Sequence, residues 1–174
     1  MTYRVHRVIA AAHRLARELG STVIGDEHLF LGLLAESDGP AAAVLAALRV
    51  DPAQAGARTH DVIRERQAYS GAGAAPVEAS MRLTTRATLV FDRSRTEAEL
   101  LGSDHVGIEH LLLGMVRRDD TVAAMVLADL GADAARIREQ VAALLTSTAP
   151  ADQPKPPPRF PLPTRDPAHG NDSS

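Results

Sequence analysis

The feature that most constrains this chain is an internal copy. Leu101-Gly-Ser-Asp-His-Val-Gly-Ile-Glu-His-Leu-Leu-Leu-Gly-Met-Val116 repeats the earlier Leu19-Gly-Ser-Thr-Val-Ile-Gly-Asp-Glu-His-Leu-Phe-Leu-Gly-Leu-Leu34. Shifted by 82 residues, the sequence matches itself at 20 of the 56 positions from Val8 to Ile63 without a gap. Such self-similarity means two like supersecondary units that share a core.

The 174 residues suffice for one domain that buries roughly two-thirds of its unfolded surface. Trp is absent and aromatics make up only 3%, so the core has to come from Ala, Leu and Val on closely approaching helices. The expected class is all-α. A net charge of −3 is too small to drive binding to a polyanion. The lack of Cys excludes disulfides, thiolate nucleophiles and Cys-ligated metals, and fits a cytoplasmic location. The apolar run Val8-Ile-Ala-Ala-Ala12 is too short for a signal-peptide core, and no run approaches membrane-spanning length.

In the first unit (1–66), Val5, Val8, Ile9, Ala12, Leu15 and Leu19 line one face of a first helix, with Gly20 as its stop. Asp26 then stands as the N-cap of a helix near Glu27–Glu36, whose Leu29-Phe-Leu-Gly-Leu-Leu34 is apolar all round and so central. Gly32 and its mate Gly114 each cost about 1 kcal/mol in mid-helix, which close backbone packing would justify. Asp38-Gly-Pro40 starts a third helix over Ala41–Leu48, and Asp51-Pro52 a fourth, weaker one broken by Gly56 and anchored by Val62 and Ile63.

Residues 67–80 read as a linker. The second unit (81–147) repeats the pattern with helices over 84–101, 109–117, 121–130 and 133–145. Residues 148–174, with Pro154-Lys-Pro-Pro-Pro158, read as a disordered Pro-rich tail.

Glu27-His28 and Glu109-His110 are the groups most suggestive of chemistry. Adjacent helix positions point about 100° apart, so neither pair can share one metal as H-E-x-x-H does. His28 and His110 head apolar runs, which favours a hydrogen-bonded structural role. Glu27 and Glu109 gain from the helix macrodipole and are also placed to bind a cation. Arg4, Arg7, Arg14 and Arg17 form a stripe away from the apolar face of the first helix; without interleaved aromatics it is a weak nucleic-acid surface. The only Lys is Lys155, and neither G-x-x-x-x-G-K-[ST] nor G-x-S-x-G occurs, so a P-loop ATPase is excluded and a serine hydrolase has no support. No cofactor or metal is expected.

The doubled Gly-x-Glu-His-Leu-x-Leu-Gly, followed by Ala41–Leu48 and Ala123–Leu130, resembles the Clp N-terminal repeat domain that fronts ClpC- and ClpA-type ATPases. Leu83-Thr-Thr-Arg-Ala87 looks like the start of the family's second repeat. The resemblance implies a pseudo-two-fold bundle of eight helices that binds substrate and adaptor proteins without catalysis. In ClpC-type members it also implies two phosphoarginine pockets, here matched by Glu27 with Thr2 and by Glu109 with Thr84. Thr88 replaces a family Lys, Asp26 and Ile108 replace the Thr before the motif Glu, and an N-terminal Phe is missing.

The leading expectation is a free-standing, monomeric, non-enzymatic module that acts as an accessory or decoy in Clp-dependent proteolysis. The alternatives are a small hydrolase using Glu27 and Glu109 as an acid/base pair and, last, a nucleic-acid binder.

Overall fold

The computed structural model describes residues 1–70 and 81–148. The first unit contains α1 (Tyr3–Glu18), α2 (Asp26–Leu34), α3 (Pro40–Ala47) and α4 (Pro52–Ser70). The second contains α5 (Thr85–Leu100), α6 (Ile108–Val116), α7 (Val122–Asp129) and α8 (Ala134–Thr148). All eight helices expected from the periodicity are present, in order, and the class is all-α. Among the described residues no helix is long and apolar enough to cross a membrane.

The duplication extends to the helix ends. After α1, the N–H of Gly20 donates to the carbonyl of Arg17 and that of Ser21 to Ala16, a paired motif that satisfies the last carbonyls. Gly102–Ser103 after α5 and Gly131–Ala132 after α7 do the same, each Gly at positive φ. After α3 the same left-handed position is held by Arg49, with φ of 59°. A side chain there costs about 1–2 kcal/mol, partly offset by the extra freedom of Gly in the unfolded chain. Arg49→Gly is therefore expected to stabilise the protein by about 0.5–1 kcal/mol, and Gly131→Ala to destabilise it by a similar amount, read from urea denaturation midpoints.

The two apolar helices lie at the centre. Leu29, Phe30 and Leu33 of α2 and Leu111, Leu112, Leu113 and Met115 of α6 are fully buried, with α1 packed on α2 and α5 on α6. The mid-helix glycines explain how closely. A methyl added to Gly32 would stand 2.6 Å from the carbonyl oxygen of Val8, and one on Gly114 2.7 Å from both the Val90 carbonyl oxygen and the Ser94 nitrogen. Backbone meets backbone at both places, as the helix-breaking cost of these residues implies.

Three local expectations are corrected. The N-cap of α2 is Gly25, and Asp26 is already helical. The fourth helix is not broken at Gly56 but runs unbroken to Ser70, because Ala55, Thr59 and Ile63, four residues apart, bury one continuous stripe. Residues 67–70, expected in the linker, are thus helical; residues 71–80 and all of the expected tail except Thr148 lie outside the described residues.

A short parallel ladder was not anticipated. β1 (Val23–Ile24) in the first unit pairs with β2 (Arg82–Leu83), which leads into the second, and the Thr84 N–H extends the ladder to the Ile24 carbonyl at 2.9 Å. Its counterpart 82 positions away is the Thr2 N–H, which donates to the Val106 carbonyl at 3.0 Å. The first helix of each unit therefore begins on the other unit's loop.

Candidate functional site

The paired Gly-x-Glu-His segments adopt one geometry twice. The Gly25 N–H donates to His28 Nδ1, and the Gly107 N–H to His110 Nδ1, each at 3.0 Å. Each His thus supplies the returning half of a capping box, a part usually taken by Glu or Gln. An Nδ1 that accepts a backbone proton leaves the ring's own proton on Nε2, so both rings are neutral. Both Nε2 atoms are buried without a hydrogen-bond partner among the described residues. Burial pushes His28 down to about 4 against a weaker opposing pull from Asp26, and burial lowers His110 as well. The structural role expected for these residues accounts for their geometry.

Each Glu folds back over the glycine two residues earlier. A methyl added to Gly25 would stand 2.6 Å from Glu27 Oε2, and one on Gly107 2.6 Å from Glu109 Oε2. The motif glycine thus leaves room for the carboxylate, which a sequence reading centred on the Glu alone misses. Glu109 is buried, while Glu27 keeps an exposed edge.

That edge opens onto a cleft of about 460 Å³ lined by Asp26, Glu27, Arg66, Thr84, Thr85, Arg86, Leu89 and Asp120. It lies at the seam of the two units. The helix start that faces Glu27 is that of α5, so Thr84 shares this cleft, whereas Thr2 docks on the loop that leads to Glu109. The expected pairs, Glu27 with Thr2 and Glu109 with Thr84, are exchanged because the first helices cross between units. Thr84 Oγ1 accepts from the Ala87 N–H at 3.1 Å and caps α5, while Thr2 Oγ1 makes no such cap on α1 and is buried without a hydrogen-bond partner among the described residues. Thr88, where the family has Lys, donates to the Thr84 carbonyl at 3.1 Å.

Asp26 ties the cleft to the rest of the molecule. Its Oδ2 accepts from the Val122 N–H at the start of α7, 2.7 Å away, so it caps a helix of the other unit rather than its own. Burial raises its pKa, opposed by that backbone bond and by Arg86, whose Nη1 is 3.8 Å from Oδ1. At the corresponding seam Ile108 abuts Gly39, the N-cap of α3, as an apolar equivalent. Asp120, on the cleft rim, is clamped by Arg93 through two bonds of 2.8 Å.

Two other expectations meet this geometry. Glu109 is not in the lining of the Glu27 cleft, so the two carboxylates do not form an acid/base pair there. Arg4 and Arg7 of the basic stripe both reach buried Glu36, at 3.7 and 3.0 Å, and Arg14 reaches Glu18 at 3.7 Å. Two carboxylates thus meet three of the stripe's four arginines, which halves its surplus positive charge. Of the cleft residues, Asp26, Arg66, Thr85, Arg86, Leu89 and Asp120 were not singled out as ligand contacts from the sequence. Thr85 and Arg86 carried a signal as part of Leu83-Thr-Thr-Arg-Ala87, and Asp26 as the residue before the motif Glu.

Fold and site together define a duplicated helical bundle with a charged cleft where its units cross. The sequence matches the Clp repeat (R) N-terminal domain family over residues 1–127 and 82–162, and the chain belongs to that family. It is 38% identical over 148 residues to the ATP-dependent Clp protease ATP-binding subunit ClpA homolog of Guillardia theta, covering 85% of this chain and 17% of that protein. The chloroplastic chaperone protein ClpC of Pisum sativum is 37% identical over 148 residues, 85% of this chain and 15% of its own length. Each relative is therefore far longer than the part it shares. Among solved structures, the N-terminal domain of the ClpD chaperone from Arabidopsis thaliana superposes with a TM-score of 0.64 at 21% identity, over 84% of this chain and 94% of that one, a likeness of fold.

Proposed function

We propose that this chain is a non-enzymatic protein-binding module of the Clp N-domain type that captures substrate or adaptor proteins, with an arginine-phosphorylated side chain as the ligand of the Glu27 cleft. In this reading it serves Clp-dependent proteolysis as an accessory or decoy. The observation that carries this reading is the division of charge within the cleft. Glu27 offers a carboxylate to a guanidinium, while the α5 N-terminus, the exposed Thr85 and Arg86 offer donors and positive charge to a phosphate. A ligand with both groups on one side chain matches both halves. Glu109 with Thr2, whose N–H docks on the Val106 carbonyl in the loop that leads to Glu109, is the second candidate in this reading.

Isothermal titration with an arginine-phosphorylated peptide tests the reading. Wild type is expected to bind, and Glu27→Gln to lose about tenfold or more in affinity, as befits a charge-assisted contact worth about 1.5–3 kcal/mol. Gly25→Ala is expected to reproduce that loss with the helical circular dichroism unchanged, because its methyl displaces the flexible carboxylate rather than backbone. No binding by wild type to this peptide or to a Clp adaptor overturns the proposal.

A further inference from the structure

We propose that Arg66 is a built-in stand-in for the ligand: its guanidinium latches Glu27 and competes with a ligand guanidinium for the same carboxylate. The inference rests on the reading of Glu27 as a guanidinium acceptor and concerns how that site is regulated.

The unbroken course of α4 brings Arg66 beside the start of α2, where Nη1 donates to Glu27 Oε2 at 3.3 Å. The other carboxylate oxygen, Oε1, lies 3.5 Å from His28 Nδ1, an atom already committed to the Gly25 N–H. A guanidinium that grips both carboxylate oxygens in a fork therefore competes with Arg66 for Oε2. The chain thus places on Glu27 the same chemical group that the proposed ligand would bring.

The geometry of this contact separates a latch from a clamp. Arg93 grips Asp120 through two bonds of 2.8 Å, and Arg138 grips Glu97 through bonds of 2.7 and 2.9 Å. Those are the short, two-pronged pairs that fix a structure. Arg66 reaches Glu27 with one nitrogen, at a longer distance, from a side chain 41% exposed. A half-exposed, single-pronged pair of this kind contributes little to stability. The latch also distinguishes the two units. The position 82 residues after Arg66 is Thr148, which carries no guanidinium, so the repeat does not duplicate this residue.

Arg66→Gln tests the latch, with the same arginine-phosphorylated peptide as probe in parallel titrations of variant and wild type. The variant is expected to bind about two- to fivefold more tightly, the span that a half-exposed ion pair can account for. The gain should shrink as salt is raised, because salt weakens the latch itself in the wild type. Arg66→Lys, which keeps the charge but loses the planar fork, is expected to fall between the two.

Weaker binding by Arg66→Gln would mean that Arg66 holds the ligand's phosphate, and unchanged binding would make it a bystander. Either result overturns the latch while leaving the cleft's proposed ligand intact. If neither protein binds the peptide, the ligand assignment and the latch fall together.

Discussion

Replacing Arg117 and Arg138 together by alanine is expected to cost about 3 kcal/mol of folding stability, more than the two single changes added. Glu97 is fully buried and is held from three directions: Arg117 Nη1 meets Oε1 at 2.7 Å, and Arg138 meets both oxygens. These bonds, that from Arg138 first, keep its pKa below the usual carboxylate range. Losing one arginine leaves the carboxylate with the other. Losing both strands a charge beneath the surface, although the arginines are themselves its cover, so their removal lets water in and keeps the cost at the low end of the range for a broken buried pair. Urea denaturation of the wild type, both singles and the double gives the coupling directly; additive singles would contradict it.

The first unit contains the apolar alternative. The positions corresponding to Glu97, Arg117 and Arg138 are Leu15, Ala35 and Gly56. The bundle geometry therefore does not require the ionic cluster, and adding Glu97→Leu to the double variant is expected to restore most of the lost stability.

Lowering the pH from 7 to 4 is expected to remove roughly 3 kcal/mol of stability through His28 alone, about 1.4 kcal/mol per unit of pKa difference. The ring is protonated below about 6.5 in the unfolded chain but stays neutral in the fold until about 4. Its contribution is complete above 6.5, declines as the pH falls through that window, and declines no further once both states are protonated. His110 acts in the same direction. Asp26, whose folded pKa is raised, acts in the opposite sense over the range from 3.8 up to its folded value, where the unfolded chain ionises first. Glu97, whose folded pKa is lowered, adds to the loss as the pH falls through the ordinary value of 4.5, where the unfolded chain takes up its proton while the folded one stays ionised. His28→Gln keeps an acceptor for the Gly25 N–H and removes the titration, so it should flatten the dependence of unfolding free energy between pH 6.5 and 4. An unchanged slope would assign the acid sensitivity to other groups.

The helices could be read from the sequence because local spacing encodes them: the Val5–Val8–Ala12 face of α1, the Gly20 and Gly102 stops and the apolar run of α2 are all written within a few residues. The site was only half legible. Glu27, Glu109, Thr2 and Thr84 stood out as a repeated set, but their grouping across units depends on a two-residue ladder too short to leave an alternating pattern. Asp26 looked like a cap and is one, for a helix 96 positions away in sequence. Arg66 carried no signal at all: it follows a glycine that weakens a helix locally, while the Ala55–Thr59–Ile63 stripe that extends the helix owes its strength to burial.

The crossing of the two units bears on what the fold is. Thr2 rests on the loop of the second unit and Thr84 on that of the first, through equivalent backbone bonds. Two separate copies of one such unit would satisfy the same bonds by exchanging their first helices about a true dyad, as in a domain-swapped homodimer. Joining the copies in one polypeptide turns a bimolecular encounter into an intramolecular one, with an effective concentration in the millimolar range for a short tether, and so makes assembly independent of protein concentration. Fusion also frees the two halves to diverge. A symmetric dimer must place the same residue at both seams, whereas this chain has Asp26 at one and Ile108 at the other, and Arg66 in the first unit where the repeat has Thr148.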